Sequence, residues 1–105
     1  MLEITKNNFA VEVENCEIPV IVDFFADWCP PCQIMAQVFA ELDAEADGFK
    51  VAKVNADRQP ELVQRFGIEF LPTVLIFDKG VAIEKSVGFK NKEALKAMLK
   101  LKIGF

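Results

Sequence analysis

Along this chain, apolar residues alternate between runs of strand period and stretches of helix period, from the first residues to the last. Leu2 to Thr5 reads as a short first strand, followed by a helix near Asn8 to Glu14 with Phe9 and Val13 on one face. Pro19 breaks the chain before Val20-Ile21-Val22-Asp23-Phe24-Phe25, a run that is β-branched or aromatic on both faces. A strand covered on both sides reads this way, so this run is the central-strand candidate. Beyond Cys32, the residues Met35, Val38, Phe39, Leu42 and Ala46 fall at helical spacing, and Gly48 supplies a left-handed residue to end that helix. Lys50 to Asn55 reads as another strand, and Pro60 with Gly67 brackets a short helix carrying Leu62, Val63 and Phe66. Thr73 to Phe77 and Val81 to Val87, separated by Asp78-Lys79-Gly80, predict an antiparallel hairpin. Asn91 caps a last helix that turns Leu95, Met98 and Leu99 inward. The alternation predicts an α/β domain, and 105 residues without a repeat or flexible linker predict a single one over 1–105.

Composition narrows the function. With 52% hydrophobic and 27% charged residues, the chain holds enough apolar material for a packed interior without disulfide staples. A net charge of -4 and the lack of any basic stripe argue against a nucleic-acid partner, which needs clustered Lys and Arg. The longest apolar stretches, Val20 to Ala26 and Phe70 to Phe77, are too short to span a bilayer, so no membrane role is expected. Met1-Leu2-Glu3-Ile4-Thr5 does not read as a secretion signal, which makes a reducing cytoplasm the expected compartment. Three cysteines and no histidine do not fit a secreted disulfide scaffold, leaving metal binding or redox chemistry for the close pair.

That pair, Cys29 and Cys32, stands three positions apart at a strand-to-helix junction, where one helical turn brings the sulfurs within bonding reach. A helix N-terminus offers free N–H groups and partial positive charge, favouring the thiolate of the outermost cysteine. Cys29 is therefore the expected nucleophile. Cys32, inside the first turn, is the expected resolving thiol that attacks the mixed disulfide. Half of a zinc site is the competing reading. With no His and only Cys16 left over, four good ligands cannot be assembled in one chain, so no metal is expected. Cys16 itself is read as a bystander. Asp23 is an unusual polar residue for an apolar strand, and burial should raise its pKa.

Around the dithiol, Val22-Asp23-Phe24-Phe25-Ala26-Asp27-Trp28-Cys29-Pro30-Pro31-Cys32 resembles the thioredoxin family. Ala52-Lys53-Val54-Asn55-Ala56-Asp57, Phe66-Gly67-Ile68, Leu71-Pro72-Thr73, Phe77 before Gly80, and Val87-Gly88 resemble its later landmarks in order and spacing. The resemblance implies a central mixed sheet flanked by helices on both faces, with the dithiol beside a cis-proline loop at Pro72. The residue alone would read as an ordinary trans proline at the start of a strand. In the family pattern Asp23 is the general base for Cys32, with Lys53 tuning its charge. Trp28, Pro30, Pro31, Leu71, Pro72 and Gly88, with Phe89 beside them, would form the substrate groove.

The chain departs from the pattern at three positions. Pro30 stands where the family usually has glycine, and the following Pro31 should hold it extended, so the helix is expected to begin near Pro31. Neither proline has an N–H, which leaves Cys32 and Gln33 as the first backbone donors for a Cys29 thiolate. Gln33 replaces a common Lys or Arg, and Gln37 replaces a helix proline, predicting a straighter helix. The function implied is that of a general protein-disulfide reductase, acting as a monomer without cofactor. Its expected partners are disulfide-containing target proteins and a thioredoxin-reductase-type electron donor. A disulfide oxidase or isomerase of higher potential, and an interaction module with idle thiols, are the alternatives.

Overall fold

The computed structural model describes residues 1–104; Phe105, the last residue of the expected 1–105 domain, lies outside the described residues. Five strands form one sheet in the order β1-β3-β2-β4-β5, with β1 over Leu2–Glu3, β2 over Val20–Phe25, β3 over Lys50–Asn55, β4 over Thr73–Asp78 and β5 over Val81–Val87. β1, β3 and β2 run parallel, whereas β4 pairs antiparallel with both β2 and β5. The sheet is thus mixed, and β2, apolar on both faces, occupies its centre as its sequence predicts.

Helices cover both faces. Val20, Val22 and Phe24 of β2 pack with Phe9, Val13 and Leu62, on the side of a π-helix at Ala10–Glu14 and of α2 at Pro60–Arg65. Ile21 packs on the opposite side with Met35, Phe39 and Leu42 of α1, Pro30–Glu45, and with Leu95 and Leu99 of α3, Lys92–Ile103. Because strand side chains alternate in direction, Asp23 belongs to this α1 face together with Ile21 and Phe25.

Several boundaries differ from expectation. β1 stops at Glu3 because, after the Ile4 N–H reaches the Lys53 carbonyl at 2.7 Å, the Thr5 N–H turns to the Asn8 side chain at 2.7 Å. The first helical segment closes as a π-turn, its Asn15 N–H donating to the Ala10 carbonyl at 2.8 Å. α1 begins at Pro30 and not at Pro31, and the extended residue is Cys29, with φ -98° and ψ 108°. Two consecutive prolines fit there because the N–H groups they lack would have had no partner within the helix, and their fixed φ suits its first turn. At the other end α1 stops at Glu45, since Ala46 is already extended; Gly48, φ +83°, instead shapes the turn that returns Phe49 to the core. In the β4–β5 hairpin, Gly80 lies against the π-helix so closely that a Cβ there would sit 2.8 Å from the Glu14 carbonyl oxygen.

Candidate active site

The site forms where β2 ends and α1 begins. Cys29 is the N-cap of α1, and its sulfur is bonded to that of Cys32 in a disulfide whose Cα atoms lie 5.2 Å apart. The Cys32 N–H, the first in the helix after two prolines, donates to Cys29 Sγ at 3.3 Å. The Gln33 N–H is taken by the Cys29 carbonyl at 3.2 Å, so of the two expected donors one serves the sulfur. Cys32, inside the first turn, is shielded at 2% exposure, but Cys29, expected to be the outermost, is buried almost as deeply at 4%. Position distinguishes them instead. Cys29 lies between exposed Trp28 and the Leu71 carbonyl oxygen, which is 3.8 Å from its sulfur, while Cys32 belongs to the buried stripe of α1.

The Leu71–Pro72 peptide is cis, as the resemblance implies. Pro72 is itself buried, so what the loop presents beside the sulfurs is the half-buried Leu71. Gly88 closes the far side: its N–H donates to the Pro72 carbonyl at 2.8 Å, with φ at +89°, a conformation that favours glycine. Trp28 is 68% exposed, and its indole N–H donates to Asp57 Oδ2 at 2.9 Å.

On β2, the strand that leads to the dithiol, Asp23 is 2% exposed and its Oδ1 accepts no hydrogen bond. Burial pushes its pKa up to about 7, against a smaller downward pull from the positive charge of Lys53. Lys53 is the register partner of Asp23 on β3, and its ammonium sits 5.6 Å from the centre of the Phe25 ring. Asp23, Lys53, Phe25, Ala36, Phe39 and Met1 all border a recess of about 240 Å³ on the α1 face, which Ala40 also lines. Neither this recess nor the roomier ones of about 460 Å³ beside Glu45 and Lys96 and of about 430 Å³ beside Cys16 and Lys79 is lined by a dithiol residue. Cys16 is a free thiol, half-buried against the core. Among the described residues no three His, Cys, Asp or Glu side chains gather where they could hold a metal ion.

Three further contributors escaped the sequence reading. Asn55, buried at the end of β3, accepts from the Asp57 and Arg58 N–H groups at 3.0 and 3.3 Å and so shapes the turn that aims Asp57 at Trp28. The buried Thr73 hydroxyl donates to the Phe70 carbonyl at 2.6 Å, fixing the backbone just before Leu71, while the Phe70 ring stays 63% exposed. Asn-x-Asp after a strand is a turn signal and Phe70 opens an apolar run, but neither pattern by itself says which side chain faces the sulfurs.

A dithiol that closes into a disulfide at a helix N-terminus, next to a cis-proline loop, defines a thiol-disulfide oxidoreductase. The Thioredoxin family model matches residues 1–101. The chain is 40% identical over 99 residues to a thioredoxin of Alicyclobacillus acidocaldarius, covering 93% of each chain. It is 38% identical over 98 residues to thioredoxin 1 of a Nostoc species, 92% of each, and 38% identical over 100 residues to a thioredoxin of Bacillus subtilis, 94% of each. The chain belongs to the thioredoxin family. Its activity is thiol-disulfide exchange through a redox-active disulfide, in the direction of reducing disulfide-containing targets, with thioredoxin reductase the class of electron donor. No helix among the described residues is long and apolar enough to cross a membrane.

Proposed function

We propose that Cys29 is the attacking thiol of a general protein-disulfide reductase and Cys32 the resolving one. The Cys29 thiolate attacks one sulfur of a target disulfide, forming a mixed disulfide and expelling the other target sulfur as a thiolate, which takes a proton from water. Cys32 then gives its proton to Asp23, and its thiolate attacks Cys29 Sγ, closing the 29–32 disulfide and releasing the second target thiolate. Two electrons pass to the target. A thioredoxin-reductase-type donor returns two electrons to the disulfide. The observation that carries this assignment is the Cys32 N–H on Cys29 Sγ at the N-terminus of a 16-residue helix, which stabilises negative charge on Cys29.

Asp23 suits the proton step because a carboxyl at about 7 lies near the ordinary thiol range and can both take and return a proton. Lys53 sets how far its charge is opposed. Trp28, Pro30, Pro31, Leu71 and Gly88 border the target's path to Cys29, and Pro72 positions Leu71. The dithiol, Trp28 and the Leu71 loop all come from this chain, which we read as a monomer forming one domain over 1–105. A dithiol that must stay reduced is suited to the cytoplasm. The test is insulin-disulfide reduction with dithiothreitol: Cys29→Ser should lose the catalysed rate, and equal rates for variant and wild type would overturn the assignment. Equilibration with glutathione fixes the direction, a potential near about -270 mV supporting a reductase and one above about -180 mV an oxidant.

A further inference from the structure

Phe70 carries an uncovered aromatic ring on a backbone held in place. Its carbonyl is locked by the hydroxyl of fully buried Thr73, the next residue presents its carbonyl 3.8 Å from Cys29 Sγ, and yet 63% of Phe70 is open to solvent. Rigid aromatic anchors with little backbone freedom are what interfaces use as hot spots, since little ordering is left to be done on binding. The ring is continuous through Leu71 with the groove described above. Next to it in the chain, Glu69 is exposed and among the described residues forms no ion pair within 4.0 Å. The nearby Lys85 ammonium donates to the Gly67 carbonyl at 2.8 Å.

We propose that Phe70 is a specificity-determining residue that selects extended target segments carrying a large apolar side chain beside the disulfide cysteine, while Glu69 disfavours segments with an acidic residue there. The inference rests on the reductase reading and names its substrate class. An extended segment laid along Leu71 brings the residue flanking its cysteine over Phe70, where a leucine or phenylalanine gains apolar contact, a serine gains none and a glutamate meets like charge.

The test uses three cyclic disulfide peptides that differ only in having Phe, Ser or Glu beside one cysteine. Each is mixed with fully reduced protein and followed by chromatography. Wild type should reduce the Phe peptide about tenfold faster than the Ser peptide, the scale of one well-packed apolar contact. Phe70→Ser should bring that ratio close to one, and Glu69→Gln should narrow the gap between the Ser and Glu peptides, as should high salt. Ratios within one variant are insensitive to how much of it is folded. Equal rates for all peptides with wild type, or an unchanged Phe-to-Ser ratio in Phe70→Ser, overturns the inference and leaves the reductase reading intact. Reduction of none of the peptides by wild type removes that reading and the inference with it.

Discussion

Two carboxylates packed along α1 handle charge in opposite ways. Beside its middle, where Ala36, Phe39 and Ala40 line the same recess, Asp23 lies buried with an oxygen that accepts no hydrogen bond, and its pKa rises to about 7. At its C-terminal end, Glu45 accepts from Lys92 at 2.6 Å and from Lys96 at 2.6 Å on α3, and these hydrogen bonds hold it at about 2, while Lys92 is raised in turn. Two carboxylates on one layer of the molecule thus differ because one is buried against only the positive charge of Lys53 and the other stays solvated and accepts from two lysines. The solvated pair ties α3 to α1. The buried one is a cost to the fold that stability alone would not select, which motivates the proton-transfer role proposed for it.

The sharpest way to break this contrast is at the dithiol for which the buried carboxyl is proposed as the base. Cys32→Ser leaves Cys29 able to attack but removes the second step, so turnover should fall more than about a hundredfold and a covalent target adduct on Cys29 should accumulate, visible by mass spectrometry. Turnover without adduct would mean that Cys32 does not resolve the intermediate.

Next in size is Asp23→Asn. Unfolded, the carboxyl ionises near 3.8; folded, it holds its proton to about 7. The folded state therefore binds more protons between those values, and the stability of the wild type should fall as pH rises through that window. The full penalty, on the order of 4 kcal/mol before the amide's own desolvation, applies above about pH 7 and vanishes below about pH 3.8. Urea unfolding should find Asp23→Asn the more stable protein at pH 8, with the advantage gone at pH 3. The same variant should slow resolution by Cys32 and remove the titration near pH 7 from the rate profile. An unchanged profile would exclude Asp23 from the proton step.

Smallest is Glu45→Gln. Its lowered pKa means that the ion pairs contribute above about 4.5 and are lost as pH falls through about 2. Exposed pairs add little, so the variant should lower Tm only slightly at neutral pH, and 1 M salt should erase the difference. A large loss would mean that the clamp, and not the apolar layer beneath it, holds α3 in place.

Much of the fold can be read from residue type and turn signals. β2, β3 and β5 span the residues expected of them: β2, buried on both faces, is a β-branched and aromatic run broken only by Asp23, whereas β5, an edge strand exposed over most of its length, is marked by the Asp78-Lys79-Gly80 turn before it. Less legible were ends set by local hydrogen-bond competition: the start of α1 at Pro30, its stop before Gly48, and β1 ending where Asn8 captures the Thr5 N–H. Cys29, Cys32 and Asp23 were legible as a site because each breaks the pattern around it. Asp57, Asn55 and Phe70 break no pattern. Their part comes from distance, since Asp57 reaches Trp28 across 29 positions of sequence.

By itself, then, the sequence determined the layered α/β architecture, the dithiol and the carboxyl within the central strand, since hydrophobic period and residue type act within a few neighbouring positions. Only the tertiary structure decided that two buried cysteines differ by what surrounds them and not by exposure, and that Asp57 holds the tryptophan. It also decided that Phe70 stands open beside Leu71. Those facts depend on which backbone groups and surfaces the fold brings together from distant parts of the chain, and no local pattern encodes that.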